Sequence, residues 1–177
     1  NYTFFVPHDV EGLAKLMGGS KKFVNKLQTV MDSSYYDPAN EPDIAYPYLF
    51  SRFAGEEWRT QEQVNRLLSK YFTTKPDGIP GNDDTGTMSA WAIFSMMGFY
   101  PDAPGEPYYT LTSPVFDRVE IDTADGVLTI EAPHSSADDI YIRSMTLGGK
   151  PLKKYRISHD ELMGGKVLKF NLSKNKK

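Results

Sequence analysis

The densest run of reactive side chains is Asp77-Gly78-Ile79-Pro80-Gly81-Asn82-Asp83-Asp84-Thr85-Gly86. Its glycines and proline keep it out of regular structure. An amide and two carboxylates then stand directly before a helical pattern. Adjacent carboxylates repel, so Asp83 and Asp84 suit either cation binding or a raised proton affinity for proton transfer. Asp at a helix start also caps backbone N–H groups and complements the helix dipole. From residue types alone both readings stand.

A second cluster, Asn40-Glu41-Pro42-Asp43, offers hard oxygen donors of the kind calcium takes, although the spacing is not that of an EF-hand. An Asx-turn with a solvated glutamate uses the same residues. His8-Asp9 is a third candidate, able to hydrogen-bond a sugar hydroxyl or to cap the helix that follows. Trp58, read as lying in a loop, could stack on a sugar ring. Trp91 lies between alanines in mid-helix and is expected in the core. His134 and His159 are expected at the surface. There is no P-loop, no His-Glu-x-x-His and no Gly-x-Ser-x-Gly, so phosphate transfer, zinc proteolysis and serine hydrolysis lack support.

These loops need elements to hold them. Up to about Pro101 the periodicity is helical. Asp9 caps Val10 to Met17, with Leu13, Leu16 and Met17 on one face, and Gly18-Gly19 ends the helix. Ser20 caps Lys21 to Met31. A helix is predicted from Ile44 to Phe53, with Pro47 in its first turn. Thr60 with Gln63 reads as a capping box for Gln61 to Phe72. Thr87 to Met97 follows, with Met88, Trp91, Ala92, Ser95 and Met96 inward, and ends at Gly98. Paired helices of this kind suit an antiparallel array. After Tyr108 the period becomes two, with strands expected at 108–112, 118–122, 127–132, 140–147, 153–157 and 167–172. Hairpin chemistry stands at Ala124-Asp125-Gly126 and Gly148-Gly149-Lys150. Strands this short, separated by turns, suggest a sandwich layer.

The 177 residues carry a formal net charge of −3, and 13% of them are aromatic. That composition fits a folded chain with no nucleic-acid partner. No cysteine is present, which excludes disulfides and thiolate chemistry. No apolar run approaches the roughly 20 residues of a membrane span. No signal peptide is evident. The chain opens at Asn1 without an initiator methionine, and a processed or internal boundary is expected.

Read as a set, the motifs resemble one family. Val6-Pro7-His8-Asp9-Val10-Glu11-Gly12-Leu13, Leu16-Met17-Gly18-Gly19, Asn40-Glu41-Pro42 with Tyr46-Pro47-Tyr48-Leu49-Phe50, and Gly55 through Thr60-Gln61 resemble glycoside hydrolase family 92. So do Pro76 to Gly86, Met88-Ser89-Ala90-Trp91, Phe94 to Pro101 and Ser113-Pro114-Val115-Phe116. The resemblance implies an exo-acting, calcium-dependent α-mannosidase, commonly α-1,2-specific, that inverts the anomeric centre and takes part in N-glycan degradation. It implies an α+β fold. Residues 1–101 would be antiparallel helices of an (α/α)6 barrel, and 102–177 C-terminal antiparallel β-strands of sandwich type. It places the base at Asp84, with Asp83 assisting, and cation ligands at Asn40, Glu41 and Asn82. His8, Asp9, Glu41 and Trp58 become substrate contacts. Mannose-containing glycans and the rest of the same polypeptide are the implied partners, in an exported, periplasmic or cell-surface bacterial setting.

Three departures stand out. Asp43-Ile44-Ala45 occupies a stretch where the family often has histidine, and Thr87 stands where it often has glutamine. No residue here matches the family's upstream general acid, so the isolated chain is expected to be inactive. The alternatives are a non-catalytic carbohydrate-binding or structural module, suggested by the strand-rich half, and a degenerate inactive homologue, suggested by Ala45 and Thr87.

Overall fold

A computed structural model describes residues 2–176. The helices are α1 (Val10–Leu16), α2 (Ser20–Met31), α3 (Glu57–Tyr71), α4 (Thr87–Met97) and α5 (His159–Met163). The strands are β1 (Phe99–Tyr100), β2 (Tyr108–Leu111), β3 (Arg118–Thr123), β4 (Gly126–Glu131), β5 (Tyr141–Leu147), β6 (Lys150–Leu152), β7 (Arg156–Ser158) and β8 (Val167–Ser173). The fold is α+β, helical first and strand-rich afterwards. Among the described residues, no helix is long and apolar enough to cross a membrane.

The helical layer is organised around aromatic side chains. Phe4, Phe23, Tyr46, Tyr48, Phe50 and Trp91 are all buried in one core. Phe4 meets Phe23 edge-on at 4.9 Å between centroids, and Phe72 stacks on Trp91 at 5.3 Å. The side chains inward on α4 are those its spacing predicts: Met88, Trp91, Ala92 and Ser95 are buried. On α1 the inward residues are Val10 and Ala14, while Leu16 is 89% exposed, contrary to the face expected for it. Leu13 and Met17 pack against the core on the same side as Val10 and Ala14, and at about 100° per residue Leu16 falls off that side.

Three helical expectations need correction. Ser20 does not cap α2: it is the first residue of the helix, and Gly19, which has no side chain, stands at the cap position with a φ of 109°. Ile44 to Phe53 does not form an α-helix: residues 41–43 and 46–52 are 3-10 turns. Tyr46, Pro47, Tyr48, Leu49 and Phe50 are all buried, so this segment is packed on every side rather than along one amphipathic stripe. Pro42 and Pro47 also withhold N–H groups from the ladder. Thr60 is not a cap. α3 begins at Glu57, one residue after Glu56, and places Trp58 in its first turn. Thr60 sits inside the helix, fully buried, where its hydroxyl oxygen accepts from Ser51 Oγ at 2.9 Å.

The strands form a three-stranded sheet, ordered β1-β2-β7, and a five-stranded sheet, ordered β3-β4-β8-β5-β6. Phe99, Leu111 and Ile157 of the first share a core with Leu128, Ile130, Ile142, Met145, Leu168 and Phe170 of the second. The expected antiparallel sandwich holds with one exception. β8 is antiparallel to β5 but parallel to β4. A parallel neighbour needs a long crossover, and the stretch from β5 through α5 supplies it. The strand expected at 153–157 is divided. β6 pairs with β5, β7 pairs with β2, and residues 153–155 pass from one sheet to the other.

The two layers are fastened by buried polar contacts. Asp102, fully buried, accepts from Arg52 Nε and Nη2 at 3.2 and 3.0 Å through Oδ2, and from Thr110 Oγ1 at 2.8 Å through Oδ1. Glu11 and Glu106 stand 3.9 Å from the same guanidinium, and Glu106 also pairs with Arg156. Gln61 on α3 accepts the Ile142 N–H of β5 at 2.9 Å.

Candidate functional site

The acidic loop 77–86 ends on the first turn of α4. Asp83 is committed there: Oδ1 accepts the Ser89 N–H at 2.8 Å and Oδ2 accepts the Ser89 hydroxyl at 2.9 Å. Its carbonyl accepts the Met88 N–H at 3.2 Å. With both oxygens used, this carboxylate is a structural tie that fixes the loop to the helix.

Asp84 is different. Its carbonyl accepts the Thr87 N–H at 3.2 Å and the Thr87 hydroxyl at 2.7 Å. Its side chain is exposed and makes no hydrogen bond or ion pair with a described residue. Asp84 and Thr85 both have left-handed backbones, with φ of 45° and 57°. Such values are uncommon for any side-chain-bearing residue and strained for a β-branched one, and strain of this kind concentrates at functional sites. The loop therefore holds one carboxylate rigidly and presents the next one free.

Loop 37–43 lies against this one. Gly81, at φ 65°, comes so close to Ala39 that a Cβ there would stand 2.6 Å from the Ala39 Cβ. The approach brings Asn82 next to the Asn40-Glu41 segment. α4 anchors both loops, because Trp91 Nε1 donates to the Ile44 carbonyl at 2.9 Å. Glu41 and Asn82 are exposed and Asn40 half-buried. Asp43 is fully buried, and that burial pushes its carboxyl above the usual carboxylate range. The Asp37 N–H and the Asn40 amide offset part of that rise.

Among the described residues, no three His, Cys, Asp or Glu side chains gather into a metal-binding group. The Asn40, Glu41 and Asn82 set contains only one such residue and two amides. Its chemistry is nonetheless that of a partial calcium shell, since calcium accepts carboxamide and carboxylate oxygens and completes its six to eight ligands with water or other oxygens. The donor set fits in kind, with sites left for other ligands.

The remaining candidates are dispersed. Asp9 caps α1, with Oδ1 accepting the Gly12 N–H at 2.9 Å, while His8 beside it is exposed. Trp58 has the Arg59 guanidinium 4.4 Å and the Lys176 ammonium 4.1 Å from its ring. It borders a groove of about 260 Å³ with Gln61, Tyr141 and Tyr155. None of these neighbours belongs to the acidic loops. Trp91 is 2% exposed, as expected. His159 is exposed and bonds Tyr109 through Nδ1 at 2.8 Å. His134 is less exposed than expected. It bonds Asp117 and the Pro114 carbonyl on the wall of a 520 Å³ cavity between α3 and the loops at 113–117 and 134–140.

Sequence reasoning missed Ser89, and it took Asp43 for one of the oxygen donors of its loop rather than for a buried group. Ser89 carries a signal only in hindsight: a hydroxyl six residues after an aspartate, inside the first helical turns. The burial of Asp43 carries none, because an aspartate in a polar loop reads as solvated.

Comparison with known proteins completes the picture. The chain is 33% identical over 175 residues to an uncharacterised secreted glycosidase of Arthroderma benhamiae, spanning 97% of this chain and 22% of that protein. The structure superposes on a family GH92 α-mannosidase of Bacteroides thetaiotaomicron with a TM-score of 0.93 at 28% identity, covering 99% of this chain and 24% of the other. A family GH92 inverting mannosidase from the same species gives 0.89 at 29% identity, covering 99% and 27%. The chain thus spans about a quarter of the length of these relatives. The family described as the glycosyl hydrolase family 92 catalytic domain matches residues 1–174, and the chain belongs to that family.

Proposed function

We propose that the polypeptide containing this chain removes terminal α-linked mannose, commonly α-1,2-linked, from exported or cell-surface glycans by inverting hydrolysis, as in N-glycan breakdown. This chain then supplies the base side of the active site. Support comes from family membership, from the mannosidase relatives, and from the division of labour between the paired aspartates. That last observation carries the reading: Ser89 engages both oxygens of Asp83 and leaves the neighbouring Asp84 carboxylate free.

Inverting hydrolysis needs a carboxylate that takes a proton from water on one face of the sugar and an acid that protonates the leaving oxygen on the other, about 6.5–9.5 Å away. Asp84 fits the first role. Its backbone is anchored through the Thr87 contacts, which fixes where on the loop the free carboxylate is presented. The acid lies in another part of the polypeptide. Asn40, Glu41 and Asn82 would hold calcium through their side-chain oxygens. When bound, that ion would engage sugar hydroxyls and favour ring distortion. His8 stands as a rim contact, with Asp9 fixing the turn that carries it. Exposed Tyr2, Phe5, Leu16 and Ile93, at 72%, 51%, 89% and 56%, suit packing against the remaining barrel.

The test is turnover of an α-mannoside by the full-length protein. Asp84→Asn should lower kcat by about 10²–10⁴-fold, the usual contribution of a general base, with little change in melting temperature. Asp83→Asn should act mainly through stability. Equal kcat in Asp84→Asn and wild type refutes the assignment.

A further inference from the structure

Asp43 takes no part in the chemistry proposed above, yet its carboxylate is entirely buried. It ends the 3-10 turn that begins at Glu41, immediately after Asn40. Its Oδ2 accepts the Asp37 N–H at 3.0 Å and closes the loop on itself. The Tyr46 hydroxyl borders it as well. A neutral acceptor would close the same loop at a smaller desolvation cost, so the negative charge calls for a role of its own.

Asn40 supplies that role. Its Nδ2 is fully buried and so is Asp43 Oδ1, neither has a hydrogen-bond partner among the described residues, and the two residues share one turn in which the Asp43 N–H donates to the Asn40 carbonyl at 2.8 Å. An amide turned the other way would set its carbonyl oxygen against a carboxylate, which repels it. The charge therefore decides which end of the amide points inward. With nitrogen inward, the Asn40 Oδ1 is the outward atom. Glu41 is exposed next to it, and the contact of Gly81 with Ala39 brings Asn82 alongside.

The geometry points to Asp43 as a positioning residue that locks the Asn40 amide nitrogen-inward, so that its carbonyl oxygen stands beside the Glu41 carboxylate as a ligand for a divalent cation. This rests on the reading of Asn40, Glu41 and Asn82 as the cation site. Asp43 acts through Asn40 and touches neither ion nor sugar. Outer partners of this type, when removed, commonly weaken metal binding by about 10–100-fold.

The experiment is calorimetric titration of the metal-stripped full-length protein with calcium, alongside kinetics, for wild type, Asn40→Ala, Glu41→Gln, Asp43→Asn and the Asn40→Ala/Asp43→Asn double variant. Asp43→Asn should raise the calcium Kd about tenfold or more. In the Asn40→Ala background it should have no further effect, because the group it orients is gone. A merely structural role would instead weaken binding equally in both backgrounds, and that result overturns the inference. Wild-type affinity in Asp43→Asn overturns it as well. If Asn40→Ala and Glu41→Gln bind calcium normally, or if the wild type binds none, the cation-site reading falls and takes the inference with it. Weak binding in those two variants with normal binding in Asp43→Asn sinks the inference alone. Should Asp43→Asn fail to fold, Asp43→Ser keeps an acceptor for the Asp37 N–H and is read in the same way.

Discussion

Replacing Asp102 by alanine removes the buried carboxylate to which the Arg52 guanidinium donates two hydrogen bonds. The Arg52 side chain is 7% exposed and the Asp102 side chain 0%, so the variant strands a buried cation and leaves the Thr110 hydroxyl without its acceptor. Breaking a buried pair from one side costs about 3–5 kcal/mol. Glu11 and Glu106, each 3.9 Å from the guanidinium, take up part of the charge, which argues for the lower end. For a chain of this size about 3 kcal/mol corresponds to a fall in Tm of roughly 6–12 °C. The assay is scanning calorimetry of the polypeptide carrying Asp102→Ala, Arg52→Met, and the pair Arg52→Met/Asp102→Leu. The double replacement should recover most of the loss, because exchanging both charges for apolar groups removes the desolvation penalty with the attraction. A fall below about 2 °C for Asp102→Ala, or a double variant no more stable than the single one, refutes the view that this ion pair fastens helices to sandwich.

Ser89→Ala deletes one of the two donors to Asp83 and should destabilise by about 1–2 kcal/mol, the range for a half-exposed hydrogen bond to a charged group, as read by chemical denaturation. Tyr48→Phe leaves the buried Ser95 hydroxyl, now 2.5 Å from the Tyr48 oxygen, without a partner. It should cost about 1–3 kcal/mol, and Ser95→Ala added to it should restore part of that. Gly81→Ala combines an unfavourable φ with a clash on Ala39, and should cost about 1–3 kcal/mol and separate the two acidic loops, visible as weaker calcium binding by calorimetry. Glu161 is held down to about 2, first by Lys154 and then by the Ser158 backbone and hydroxyl. Its folded value lies below the unfolded one, so its contribution is complete above about 4.5 and is lost as pH falls toward 2. The pair is largely exposed, so the effect on stability is small. The carboxyl resonance of Glu161 should titrate near 2, and Ser158→Ala should move it upward.

Residue pattern announced α4 in full, because a period of 3.6 runs from Met88 through Trp91 to Ser95 between a glycine at each end. It announced the hairpins at Gly126 and Gly148-Gly149 for an equally local reason, since only turn chemistry fits there. Thr60 misled because a Thr-x-x-Gln spacing occurs by chance inside a helix whose start depends on Gly55, Glu56 and Glu57. The capping box that α5 does use, Ser158 with Glu161, was open to inspection and its helix was too short to draw notice. The 3-10 winding at 46–52 depends on burial from every side, which no local pattern records. The acidic loop could be located from composition. The separation of duties between Asp83 and Asp84 could not, because it hinges on the Ser89 hydroxyl arriving from the next element.

β8 lies between β4 and β5 in the five-stranded sheet, although it is the last strand in chain order. During synthesis β3-β4 and β5-β6 can form as separate hairpins, but each keeps an open edge until residues 167–173 leave the ribosome. The sandwich therefore closes late and in one step, and a nascent chain halted before Val167 exposes two unpaired edges to chaperones and to other copies of itself.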